Sequence, residues 1–132
     1  LSLRRQRQMC IRDRINTEEF DTNSNYDNAT NYRFTPTVAG YYQFNATVFA
    51  GNSANTAVLA AFYKNGSEFK RTSNYSASAN SLDDWGVSFS MLIYLNGSTD
   101  YVELYGYLVG AGLVVNSGST LTYFQAFMAR SA

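Results

Sequence analysis

The run WGVSFSMLIYL, residues 85–95, constrains this chain more than any other stretch. Trp85, Val87, Phe89, Met91, Ile93 and Leu95 fall at every second position, with Gly86, Ser88, Ser90, Leu92 and Tyr94 between them. Side chains on a β-strand point alternately to its two faces, so a period of two held this long reads as a strand with one face in a core. A helix would scatter the same apolar residues around its circumference. YYQFNATVFA repeats the pattern, with Tyr42, Phe44, Ala46 and Val48 alternating with Tyr41, Gln43, Asn45, Thr47 and Phe49.

Further strands are predicted at about 17–22, 31–35, 56–64, 67–73, 100–109 and 120–129. Turn signals separate them at Ala39-Gly40, Asn65-Gly66, Asn96-Gly97 and Ser117-Gly118. The Asn-Gly between AAFYK and SEFKR is the strongest hairpin mark, because both residues accept the positive φ that a tight hairpin turn requires. Many short strands at this spacing, with no convincing helix, predict an all-β fold: two antiparallel sheets packed as a sandwich or jelly roll. A chain of 132 residues suits one such domain with a single core.

The opening LSLRRQRQMCIRDR departs from this pattern. It holds five of the ten basic residues and the only cysteine, Cys10. Read as protein, it suggests a basic arm or a localisation patch. Read as DNA, residues 4–13 back-translate to CGT CGG CAG CGT CAG ATG TGT ATA AGA GAC, the sequence of a widely used transposon-based sequencing adapter. The adapter's closing AG followed by any purine supplies Arg14. The expectation is therefore a non-native segment over residues 1–14, disordered and packed against nothing, with the domain itself at 15–132 and its native upstream sequence lost.

Setting that segment aside changes the charge argument. Residues 15–132 carry five basic and nine acidic residues, a net charge of −4. Such a surface repels phosphate backbones, so no nucleic-acid partner is expected. The chain has no histidine, and without Cys10 it has no cysteine, which removes disulfides, thiol catalysis and the usual zinc ligands. No run approaches the roughly 18 apolar residues of a spanning helix, so membrane insertion is not expected.

The order of short motifs along residues 16–130 resembles that of a C1q-like globular head, within the wider C1q/TNF-like jelly-roll group. Phe20 comes first, followed by Tyr26-Asp27 before a turn, then Phe34, Thr35 and Pro36 for F-T-x-P, and then Gly40, Tyr42 and Phe44 for G-x-Y-x-F. Lys64-Asn65-Gly66 is similar to the family's Lys-Asn-Gly hairpin. Leu95, Gly97, Asp100, Val102 and Leu104 follow its Leu, Gly-Asp, Val-x-Leu passage, and Phe124 stands for the Phe of the closing strand. Departures are Ala126 where the family has Gly, and Ser98 and Thr99 inserted before Asp100.

The resemblance implies a jelly roll of about ten strands that assembles as a homotrimer and binds a protein or carbohydrate surface ligand without catalysis. Because the adapter points to environmental sequencing of an uncultured source, the expected setting is extracellular or virion-surface, as the end of a longer phage structural or tail-fibre, bacterial surface or secreted protein. The alternative is a purely structural trimerisation module of a virion or matrix fibre. A further reading is a carbohydrate-active enzyme on a jelly-roll scaffold, with Glu103 as one of two carboxylates.

Tyr41, Tyr94, Tyr101, Tyr105 and Tyr107 lie opposite the predicted core positions, and amphipathic rings on an outer surface mark interfaces, so these are the candidate interface or ligand-binding residues. Asp83 and Asp84, with Asp27 and Asp100, offer oxygen ligands of the kind calcium takes, and calcium is the one cofactor the resemblance leaves open. Against it, adjacent Asp residues in a loop are ordinary turn residues. The run Gly106 to Gly112 lacks the G-K-[ST] ending of a phosphate loop and reads as glycines that let a strand bend or end. N-x-S/T sequons begin at Asn28, Asn45, Asn65, Asn74 and Asn96 in a chain rich in all three residue types.

Overall fold

The computed structural model describes residues 8–11, 16–51, 55–75, 84–110, 114–115 and 120–132. All regular structure among them is β: β1 (Gln8–Ile11), β2 (Tyr26–Asp27), β3 (Arg33–Phe34), β4 (Gly40–Gly51), β5 (Asn55–Lys64), β6 (Ser67–Tyr75), β7 (Asp84–Leu95), β8 (Val102–Gly110), β9 (Val114–Val115) and β10 (Tyr123–Ser131). They form two antiparallel sheets. One runs β2-β3-β8-β5-β6, with β1 also on β8; the other runs β10-β4-β7, with β9 on the far end of β4. Only β2-β3 and β5-β6 are consecutive strands that pair with each other. The chain crosses between layers from β3 to β4, β4 to β5, β6 to β7, β7 to β8 and β8 to β9, as in a jelly roll.

The alternation read from the sequence is the alternation of burial. Tyr42, Phe44, Ala46, Val48 and Ala50 of β4 and Val87, Met91, Ile93 and Leu95 of β7 face inward against Val58, Ala60 and Phe62 of β5 and Val102, Leu104 and Leu108 of β8. Phe44, fully buried, sits at the centre. Its ring lies 5.6 Å from Phe34, 5.4 Å from Phe62 and 6.2 Å from Phe124, so one side chain ties β3, β4, β5 and β10 together. Edge and offset contacts of this kind add to the gain from burying the rings.

The turns follow their residue types. Asn65 and Gly66 both have positive φ, 51° and 82°, and close the β5-β6 hairpin in two residues as the Asn-Gly pair predicts. Gly97 has φ 70° in the β7-β8 connection, where an added Cβ would fall on the backbone of Val38 and Ala39. Ser117 and Gly118 lie outside the described residues.

Two expectations fail. The predicted strand at about 17–22 is not one: residues 16–25 have no strand partner, and the Asp21 carboxylate accepts a 2.7 Å hydrogen bond from the backbone N–H of Tyr26, holding the chain in a turn before β2. The opening segment does not pack against nothing. The backbone of Gln8–Ile11 pairs with Gly106–Val109, placing Cys10 opposite Tyr107. Of β8's two edges, one is filled by β5, while β3 covers the other only at Phe34↔Val102. The backbone groups left over accept any extended segment, whatever its sequence or origin.

Candidate functional site

The five candidate tyrosines do not form one cluster. Tyr41 and Tyr94 lie on the outer face of β10-β4-β7, whereas Tyr101, Tyr105 and Tyr107 lie on the outer side of the other sheet. The sandwich therefore carries two separate aromatic surfaces.

On the first, Tyr41 and Tyr94 are direct cross-strand partners with rings 5.5 Å apart at 60°. The next outward row along the strands is Phe127, Gln43 and Leu92, then Gln125, Asn45 and Ser90, then Tyr123, Thr47 and Ser88. The Thr47 and Ser88 hydroxyls satisfy each other at 2.8 Å. Arg130 of β10, opposite Tyr41 at one end of the face, is the one charged residue of these rows; Leu92 is 54% and Phe127 57% exposed, and Tyr41, Tyr94 and Tyr123 are about two-fifths exposed. Apolar area without charge at its centre is the composition of an interface core. Lys64 stands at its border, donating from Nζ to the Tyr94 carbonyl at 2.8 Å.

On the second, Tyr63 joins Tyr105 and Tyr107. The Tyr63 and Tyr105 rings are 4.3 Å apart, Tyr105 and Tyr107 stack at 6.3 Å and 21°, and the Tyr63 and Tyr107 hydroxyls share a 2.5 Å hydrogen bond. Beside them, Glu103 is not the outward surface carboxylate its strand position suggests. It is almost wholly shielded, pairs with Arg33 at 3.1 Å and accepts from the Tyr105 hydroxyl at 3.2 Å. Arg33 in turn lies 3.9 Å over the Tyr101 ring. A shielded carboxylate needs such partners, and those on view are a cation and a hydroxyl.

The carboxylates proposed for calcium are dispersed. Asp83 lies outside the described residues, and Asp84 opens β7 with its side chain likewise outside them. Asp27 instead caps its own turn, accepting from the N–H groups of Ala29, Thr30 and Asn31 at 3.0 Å each, and those bonds hold its pKa below the ordinary value. Asp100 accepts from Asn65 Nδ2 at 2.8 Å and from the Asn96 N–H at 3.0 Å, and pairs with Lys64 at 3.3 Å. The Asn65 bond chiefly lowers its pKa; burial opposes it, and the Asn96 and Lys64 bonds lower it further. Both are employed in turns. Among the described residues no three potential ligands converge.

One feature had no signal in the sequence: a groove of about 760 Å³ between residues 17–26 and β10. Its walls include Phe20, Tyr26, Phe34, Tyr42, Tyr123 and Phe124, and Glu18, Glu19 and Asp21 line it as well.

The sequence matches no family model and no curated protein. Among solved structures, the chain is similar to the Eiger TNF of S. frugiperda, with a TM-score of 0.59 at 6% identity over 96% of this chain and 88% of that one. At that identity the likeness is one of fold. The chain is a two-sheet TNF-like jelly roll, the architecture that the order of its motifs implied.

Proposed function

We propose that this domain is a non-enzymatic, C1q/TNF-like head that assembles as a homotrimer and recognises a protein or carbohydrate ligand on a surface. The observation that carries the reading is the β10-β4-β7 face, where Tyr41, Leu92, Tyr94, Tyr123 and Phe127 stand exposed and Arg130, at one end, is the one charged residue of the paired rows. Packing three copies through this face hides it and leaves the Tyr101, Tyr105 and Tyr107 side outward for a ligand. Residues 1–14 are read as adapter-derived, and the domain as the recognition end of a longer extracellular, bacterial-surface or virion fibre protein.

A second reading, a trimerisation module with no ligand of its own, draws on the Tyr63–Tyr107 bond, which satisfies two hydroxyls internally instead of offering them outward. Light scattering on the full chain tests the premise common to both: a particle of three chain masses is expected at micromolar concentration, and a stable monomer refutes it. Glycan-array binding that Tyr105→Ala and Tyr107→Ala abolish, with the trimer intact, separates the first reading from the second.

A further inference from the structure

β10 is the terminal strand of its sheet. It pairs with β4 along Tyr123–Ser131, and among the described residues no strand covers its other edge. A nine-residue strand with one edge open presents a row of unsatisfied N–H and C=O groups, which is a template for another strand. Natural edges are commonly blunted by charge or proline. Here Tyr123, Phe124, Gln125, Ala126, Phe127 and Met128 line a groove instead.

Exposed apolar side chains converge on that groove. Phe20 is 78% exposed, and Val38, Tyr123, Phe127 and Met128 are all exposed, and all line it. Its near wall carries Glu18, Glu19 and Asp21, and among the described residues no cation pairs with Glu18 or Glu19. Asn25, on the same wall, holds a buried Oδ1 with no hydrogen-bond partner. An open ladder, an apolar trough and an acidic margin together specify an occupant.

We infer that the β10 edge and its groove form a docking site for an extended peptide segment of a partner protein, with apolar side chains at alternate positions and Lys or Arg between them. The segment adds a strand to the sheet through backbone hydrogen bonds. Its apolar side chains enter the trough, and its cations meet Glu18 and Glu19. The acidic margin disfavours a second copy docking edge to edge, since that places like charges opposite one another. The inference does not depend on trimer formation, although Tyr123 and Phe127 belong to both surfaces.

Fluorescence anisotropy with short labelled peptides on the full chain tests it. A peptide of alternating valine and lysine is expected to bind saturably, at least about tenfold more tightly than one of valine and glutamate, and to weaken as salt rises. Proline at alternate positions should abolish binding, because the ladder donors are lost. The double variant Glu18→Lys, Glu19→Lys should erase the preference for lysine while leaving the light-scattering mass unchanged, which keeps this outcome distinct from failure of the trimer. Equal binding of both peptides, binding indifferent to proline, or no binding, as an edge already filled by the chain itself or by a second copy would give, overturns it.

Discussion

Replacing Leu92 by Asp puts a charge at the middle of the β10-β4-β7 face, whose own charge, Arg130, stands at one end. Leu92 retains 54% of its surface in the isolated subunit, so covering it in an assembly hides about half a leucine, about 1 kcal/mol. The substituted carboxylate forfeits that gain and must in addition be dried on docking, a further cost of about 2 kcal/mol or more. Three subunits each bring one such site. The trimer therefore loses about 9 kcal/mol, a fall in the association constant of about a millionfold. In the separated subunit the same change is mild, because the side chain points to water and Gln43, its partner on β4, is neutral. Light scattering should show Leu92→Asp as a monomer with an unchanged far-ultraviolet circular dichroism spectrum. A variant that keeps three chain masses would refute the assignment of this face, even with the wild type a trimer.

The two positive-φ glycines should respond differently to alanine. Gly66→Ala meets only the Tyr101 hydroxyl, at an ordinary contact distance of 3.6 Å, and costs about 1 kcal/mol, whereas Gly97→Ala adds a collision with the backbone of Val38 and Ala39 and should cost at least about 2–3 kcal/mol in urea unfolding. Asp100 is held below its ordinary value of 3.8 in the folded chain, so its stabilisation is complete above that value and lost as pH falls through the folded one. Asp100→Asn should accordingly flatten unfolding free energy against pH below about 5, only in part because Asp27 is shifted the same way; an unaltered profile would show that the Asn65 and Lys64 bonds do not act in solution. Glu103→Ala removes the ion-pair partner of Arg33 and an acceptor of the Tyr105 hydroxyl and should cost about 1–3 kcal/mol, discounted because Arg33 reaches water, while Glu103→Gln should recover part of it by chemical denaturation.

The long strands were legible because their inward residues are large and their period strict. The inward residues of β4 from Tyr42 to Val48 and of β7 from Val87 to Leu95 are readable from alternation alone. Segment 17–22 misled because Phe20 and its neighbours have strand composition, while strand formation depends on a partner that the sequence does not reveal. The tyrosines show a deeper limit. Alternation within a strand says that Tyr94 and Tyr105 both face away from the core, but each layer of a sandwich has its own outside, and only the pairing of strands decides which. Arg33 joins Glu103 for the same reason: the two are seventy positions apart in the chain and adjacent only because β3 pairs with β8 at Phe34↔Val102.

The bonds from Asn65 to Asp100 and to the Tyr101 N–H bear on how the protein ages. Asn-Gly is the dipeptide at which the following backbone nitrogen reaches the side-chain amide with least hindrance, so Asn65 is chemically the kind of site that loses ammonia first in a free chain. In the folded domain its amide is held at both ends, and the product would set a new carboxylate against that of Asp100. Charge heterogeneity at this turn is then a record of time spent unfolded, readable in an old preparation long after the chain has refolded.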